Sequence, residues 1–157
     1  MMKDHISHSY SLHRTFLFFA VAWLTVFFLI SGKASAAEGN ADVTKVVATD
    51  RGTSGWTFAV TVSHPDTGWE DYADGWDVVD DKGMVLKRVE SDPFTRLLLH
   101  PHVNEQPFTR SVSGIKVEDG TRFLTVRAHD LVDGFGGKEI TLDLGRRSGP
   151  GYTINRP

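Results

Sequence analysis

Two histidines flank a proline at positions 100 and 102, and this spacing suits two ligands of one metal ion. Proline favours an extended backbone at the residue before it. In an extended chain, residues i and i+2 point to the same side, with their Cα atoms about 6–7 Å apart. Imidazole is a ligand for copper, zinc, iron and nickel, and carboxylates can complete such a shell. The motif therefore makes His100 and His102 the candidate primary ligands of a copper or zinc site.

Three further residues are candidates for the same shell because the predicted strands bring them to one end of the domain. His64 and His129 each close a predicted strand, and Glu105 follows the His-Pro-His motif. In a two-sheet sandwich, the loops at one end commonly form the binding surface. The predicted site therefore consists of His100, His102, His64, His129 and Glu105.

The same histidines have a purely structural alternative. A histidine beside a proline in a loop often caps a carbonyl or faces water, and long polar loops collect histidines without any ligand. The position of residues 100–106 also depends on the number of strands before them. If residues 84–89 and 94–99 form separate antiparallel strands, the loop moves to the opposite end. The sequence leaves both alternatives open.

An aromatic pair in an acidic loop is the second candidate surface. Trp69 and Tyr72 lie within residues 66–75 and could stack against a sugar or another ligand, whereas Trp56 and Trp76 follow strand patterns and are expected in the core. The acidic residues of this loop suggest calcium, but they lack the twelve-residue pattern of a calcium loop. The alternative is a solvated loop, because polar residues are typical of turns.

The chain has no motif that identifies a catalytic site. It contains no G-x-S-x-G, no H-E-x-x-H, no P-loop and no glycine-rich dinucleotide motif. It has no cysteine, so thiolate catalysis and cysteine metal sites are excluded. Serine, histidine and aspartate can be combined into a triad on paper in any small protein. We therefore predict no catalytic residue and no enzymatic activity.

Apolar and polar residues alternate with a period of two along most of the chain after its N-terminal segment. In residues 56–63, four large apolar side chains alternate with smaller or polar ones, and only a strand places such a set on one face. The predicted strands cover residues 43–49, 56–63, 76–80, 84–99 with a bulge at 92–93, 108–113, 122–129 and 139–144. The pattern predicts an all-β fold, a single β-sandwich of about seven strands.

The last predicted hairpin carries a resemblance to a known fold. Residues 119–130, the glycine-rich loop after them and residues 140–144 resemble the final hairpin of immunoglobulin-like and fibronectin type III-like domains. The resemblance implies an immunoglobulin-like β-sandwich, although the cysteine pair of true immunoglobulin domains is missing. Residues 97–111 resemble a family of small uncharacterised exported bacterial proteins, and this second resemblance implies no function.

The N-terminal segment has the three parts of a secretory signal. Lys3 and Arg14 precede an apolar run at residues 16–30, and small residues follow at 34–37. The run is shorter than the roughly 20 apolar residues of a membrane-spanning helix. A basic start, a short apolar core and an A-x-A site are typical of a signal peptide. The alternative is an uncleaved anchor. No cysteine follows the run, so no residue there can carry a lipid.

The predicted organisation has four parts. They are a signal peptide at residues 1–36, a short leader at 37–42, a β-sandwich domain at 43–145 and a flexible tail at 146–157. The tail is rich in glycine and proline, which are typical of loose termini. We therefore expect an exported protein, periplasmic or secreted, that meets the membrane only through the signal segment if that segment is not cleaved.

The net charge of the chain limits the classes of partner that it is expected to bind. The net charge is −3 at pH 7, and removal of the signal segment takes away more basic than acidic residues. Nucleic acids and anionic membrane surfaces both need a basic face, so neither is expected as a partner. We predict a non-enzymatic exported module of the cell envelope that binds an envelope protein or a small ligand. The alternative is a periplasmic protein that binds copper or zinc through loop histidines.

The first testable prediction concerns processing. The A-x-A site implies cleavage after Ala36. Intact-mass analysis of the exported protein should therefore give an N-terminus at Ala37. A membrane-bound form that retains Met1 would show that the segment is an anchor.

Overall fold

The computed structural model describes residues 39–157, and these residues form strands, turns and one short helix. The predicted signal peptide and cleavage site lie outside the described residues. The strands are β1 (Asp42–Asp50), β2 (Trp56–Ser63), β3 (Ala73–Asp80), β4 (Arg96–Leu97), β5 (Phe108–Ile115), β6 (Phe123–Asp130), β7 (Gly134–Phe135), β8 (Ile140–Asp143), β9 (Ser148–Gly149) and β10 (Tyr152–Asn155). A 3-10 helix spans Gly52–Ser54. Across residues 39–157, no helix has the length and apolar character needed to cross a membrane.

The strands form two sheets. The first sheet has the order β5-β2-β1-β10-β9, and the second has the order β4-β3-β6-β7 with β8 also paired to β6. The pairs are antiparallel except for β1 with β10, which run parallel. The two sheets together form a sandwich-like arrangement, so the predicted all-β sandwich is confirmed.

The core lies between the inner faces of the two sheets. Burial alternates residue by residue along β2, as the period-two pattern predicts. Seven residues of the alternating pattern on β2, β6 and β8 and just after β8 are buried: Trp56, Phe58, Val60, Leu124, Val126, Leu142 and Leu144. Trp76 on β3 is fully buried as well, so the expectation that Trp56 and Trp76 belong to the core is confirmed.

The strand predicted at residues 84–99 is wrong for most of its length. Only Arg96–Leu97 forms a strand there, and Val85 makes an isolated bridge to Val79. Side-chain hydrogen bonds hold the rest of this segment where strand pairing is absent. The Thr95 hydroxyl accepts a hydrogen bond from the Val78 amide at 2.8 Å and donates to a backbone carbonyl of the same segment at 2.8 Å. These bonds, with the hydrogen bond from the Leu86 amide to the Val78 carbonyl, hold the segment against β3 without a continuous strand.

The flexible tail predicted at residues 146–157 is also wrong. β10 pairs in parallel with β1, and β9 pairs with β10. Tyr152 and Ile154 are 6% and 2% exposed, so they belong to the core. Gly151 has a φ of +77°, a turn conformation that suits glycine. The glycines and the proline therefore mark a tight connection, and the alternating residues after it form a strand.

The buried C-terminal strand gives a prediction about stability. Ile154→Ala should lower the free energy of unfolding by about 2–5 kcal/mol, because it removes buried methyl groups and leaves a cavity. Thr153→Ala, at the neighbouring exposed position, is the matched control and should change it by less than about 0.5 kcal/mol. Urea unfolding measures both variants. Equal, small effects would mean that the strand does not belong to the core.

Candidate metal centre

Three loops meet at one end of the sandwich, called the loop end here. They are residues 64–72 between β2 and β3, residues 98–107 before β5, and residues 131–133 after β6. The Leu131 amide donates a hydrogen bond to the Tyr72 carbonyl at 3.1 Å, which ties the third loop to the first. The His102 amide donates to Asp66, which ties the second loop to the first, so the three loops lie at the same end.

A buried carboxylate holds the first two loops together. Oδ1 of Asp66 accepts hydrogen bonds from Nδ1 of His64 at 2.7 Å and from the Ala73 amide at 3.1 Å. Its Oδ2 accepts from the His102 amide at 2.6 Å. The side chains of His64 and Asp66 have no exposed area. These bonds fix the orientation of the His64 ring and direct its second nitrogen away from Asp66.

The alternation of inward and outward side chains along the strands explains why His64 and Asp130 are buried. The even-numbered residues of β2 face the core, and His64 continues that face one step beyond the strand. The even-numbered residues of β6 also face inward, and Asp130 is the last of them. Both polar side chains therefore lie at the edge of the core, where bulk water does not reach them.

Three potential ligand atoms lie close together at this point. One ring nitrogen of His64 and one carboxylate oxygen each from Asp71 and Asp130 lie within 4.8 Å of one another. Nε2 of His64 is 3.6 Å from Oδ1 of Asp71. Nε2 of His64 and Oδ2 of Asp130 are buried without a hydrogen-bond partner among the described residues. The group, called the His64 cluster here, therefore contains two buried polar atoms that lack a hydrogen-bond partner.

The two carboxylates of the cluster are positioned by local turns. Oδ1 of Asp130 accepts hydrogen bonds from the Val132 and Asp133 amides, which leaves Oδ2 free. The Asp71 amide donates to the Gly68 carbonyl at 3.3 Å in a tight turn. The Asp71 side chain is 35% exposed, so it connects the buried cluster to solvent. The cluster therefore has an accessible side.

No lysine or arginine of the described residues balances the negative charge of these carboxylates. In the described part of the chain, no lysine or arginine forms an ion pair with Asp66, Asp71 or Asp130. Asp66 and Asp71 pair only with histidines, and Asp130 forms no ion pair there. Buried carboxylates need a counter-charge or complete hydrogen bonding. Histidine nitrogen and aspartate oxygen are both zinc ligands. Asp66 holds Nδ1 of His64, and a carboxylate in that position is also typical of histidines that bind a metal through the other ring nitrogen.

The His-Pro-His motif lies beside the cluster and outside it. His102 is buried, and its ring stacks on Phe108 with 3.7 Å between ring centroids. His100 is exposed, with Nδ1 3.1 Å from the Pro101 carbonyl oxygen. The two imidazole rings are 4.5 Å apart between centroids. They are adjacent, as the spacing predicted, and their binding of one shared ion stays a prediction.

The other two predicted ligands have partners of their own. Nδ1 of His129 is 2.6 Å from a carboxylate oxygen of Asp74, and its ring packs between two phenylalanines. Glu105 forms an ion pair with Arg110 at 3.0 Å, and the hydrogen bond and charge of that guanidinium lower the pKa of Glu105. Of the five predicted ligands, the structure thus brings only His64 into the cluster, and two aspartates complete it.

The predicted aromatic surface lies on the first loop. Trp69 is 64% exposed and meets Tyr72 edge to face, with 6.0 Å between ring centroids. Trp69 is two residues from Asp71, so the aromatic pair and the cluster share a loop. Its use as a ligand surface stays a prediction.

Comparison with known proteins adds one relative. A protein from Halomicrobium mukohataei named "Putative lipoprotein" is 39% identical over 103 residues, which are 66% of this chain and 47% of that protein. The chain therefore spans about half the length of this curated relative. No family model matches the chain, and no solved structure matches it.

Two substitutions test the role of Asp66, called the clamp here because its carboxylate holds the first two loops together. They compare its contribution to stability with that of the partly exposed Asp71. Asp66→Ala should lower the free energy of unfolding by about 3–5 kcal/mol, because a buried imidazole and two amides lose their acceptor. Asp71→Ala should cost less than about 1 kcal/mol, since that carboxylate is partly exposed. Urea unfolding of the metal-free protein measures both. Comparable losses for the two variants would show that Asp66 is not the clamp.

Proposed function

We propose that this protein is a non-enzymatic, exported component of the cell envelope that binds a divalent transition metal at the His64 cluster. Export is supported by the signal-like N-terminal segment and by the printed name of the Halomicrobium relative. Zinc is the first choice of ion, since the cluster offers one imidazole and two carboxylates. Copper is the second, because imidazole also suits copper.

The observation that carries the proposal is that Nε2 of His64 and Oδ2 of Asp130 are buried and have no hydrogen-bond partner among the described residues. An ion at this point gives both atoms a partner. Two ligands of a tetrahedral zinc ion lie about 3.4 Å apart when each bond is about 2.0–2.2 Å long. The 3.6 Å between Nε2 of His64 and Oδ1 of Asp71 is close to that spacing. Little rearrangement is needed for the two groups to share an ion.

Charge supports the same conclusion. With a neutral imidazole, the carboxylates of Asp71 and Asp130 give the cluster two negative charges, which a divalent cation cancels. Three protein ligands leave a fourth position for water or for a group from a partner. The partly exposed Asp71 provides the route by which an ion enters.

A second candidate function is favoured by apolar side chains beside the cluster. Trp69, Leu131 and Val132 are 64%, 50% and 63% exposed, and they lie on the first and third loops. In this alternative the loop end binds an envelope protein or a small ligand through these side chains. Metal binding would then order the loops that present them.

Metal titration tests the proposal. Zinc and copper are titrated by calorimetry into the untagged, exported protein after chelator treatment, and we expect one ion per chain. Asp71→Asn should weaken binding at least about tenfold, and loss of the orienting carboxylate in Asp66→Asn should weaken it about 10–100-fold. Binding should also weaken as the pH falls, because protons compete with the metal ion for its imidazole and carboxylate ligands.

Two controls make the titration decisive. Asp119→Asn removes a carboxylate from a distant turn and should leave the affinity unchanged. His100→Ala removes the exposed histidine of the His-Pro-His motif and should also leave it unchanged. No heat with either ion would refute the proposal. Loss of binding in His100→Ala but not in Asp71→Asn would move the site to the His-Pro-His motif.

A further inference from the structure

A small pocket lies beside the second loop, and its polar lining carries only basic groups. It encloses about 90 Å³ and is lined by Arg96, Arg110, the two histidines of the His-Pro-His motif and the leucines at 97–99. No carboxylate is among the lining residues. Leu97 and Leu99 are 40% and 71% exposed, so they form an open apolar wall. The pocket therefore combines positive charge with a short hydrophobic surface.

Two of the lining side chains have buried polar atoms without partners. His102 is 4% exposed, and neither of its ring nitrogens has a hydrogen-bond partner among the described residues. Nε of Arg96 is buried without a partner too, and Arg96 forms no ion pair within residues 39–157. The guanidinium is a permanent cation that only donates, and an imidazole carries at least one N–H. Both groups therefore need an acceptor.

The surroundings of His102 are electropositive on the pocket side. Burial is the main cause that lowers the pKa of His102, and the charges of Arg110 and His100 lower it further. Asp66 and Glu105 oppose this effect, but Glu105 is exposed and already pairs with Arg110. A negatively charged ligand is the kind of group that would complement the two arginines that line the pocket.

We propose that this pocket binds a small organic carboxylate. The planar fork of an arginine matches the two oxygens of a carboxylate, so Arg96 supplies charge and direction while His102 supplies a buried donor. The leucine wall accommodates a short aliphatic body, and the volume limits it to a few carbon atoms. This site is separate from the proposed metal centre and does not rest on it.

The site can be tested with butyrate as the probe. Sodium butyrate is titrated into the full, chelator-treated protein and followed by amide chemical shifts in ¹H–¹⁵N NMR spectra. We expect saturable shifts for residues 96–100 and 102 with butyrate and none with 1-butanol, which has the same chain without the charge. Saturation by inorganic phosphate without any by butyrate would overturn the assignment to carboxylates. So would no saturation by either anion.

Variants show whether binding depends on the named groups. Arg96→Gln should weaken butyrate binding at least tenfold, whereas Arg156→Gln removes the same charge outside the pocket and should have no effect. His102→Phe keeps a ring to stack on Phe108 and keeps the backbone amide that reaches Asp66. The melting temperature of His102→Phe should therefore match that of the natural protein, whereas its butyrate binding should be lost.

Two outcomes of the variant series would contradict the proposal. If Arg156→Gln weakens binding as much as Arg96→Gln, the anion responds to net charge and not to the pocket. If His102→Phe folds and binds butyrate normally, the buried imidazole is not part of the site. Zinc titration of Arg96→Gln keeps the two proposals apart, because its affinity for zinc should be unchanged whether or not butyrate binding is lost.

Discussion

The loop end depends on one buried carboxylate, that of Asp66. It accepts hydrogen bonds from the ring of His64, from the first amide of β3 and from the amide of His102. These donors come from two loops and a strand start that are distant in sequence, so a single side chain sets their relative positions. A charged acceptor with three buried donors makes stronger bonds than a neutral one, and removing it leaves every donor unsatisfied. The orientation of the His64 ring and the course of residues 98–107 both follow from this arrangement.

The core of the sandwich is mostly apolar, and the other buried polar side chains, Asp77 and Thr95, have hydrogen-bond partners. Most of the buried, unpartnered polar atoms in the described residues belong to His64, His102, Asp130 and Arg96. Such atoms are costly in a folded protein and commonly mark a place where another group completes the bonding. Acceptors collect around Nε2 of His64, whereas donors collect around His102. The first group therefore suits a cation and the second suits an anion, with Asp66 between them.

Alternation along the strands made the core predictable, because burial on one face of a strand follows directly from residue parity. The same rule explains the histidines: His64 continues an even-numbered, inward face, whereas His129 has odd parity on β6 and points away from the core. The even position of Asp130 on β6 could also have identified it as an inward-facing residue of the site. Asp71 could not be predicted in this way, because a turn at Gly68 places it. Residues 84–95 were mispredicted as a strand because side-chain hydrogen bonds hold them. Residues 148–155 were mispredicted as a flexible tail because their pairing with the distant β1 is not a local feature of the sequence.

The central claim is that His64, Asp71 and Asp130 together hold a metal ion, and locating that ion tests it most directly. A crystal of the protein grown with zinc can be measured on both sides of the zinc absorption edge. The account predicts one anomalous peak per chain, about 2.0–2.2 Å from Nε2 of His64 and within bonding distance of both carboxylates. A peak at the imidazoles of His100 and His102, or no peak near His64 at full zinc saturation, would contradict it.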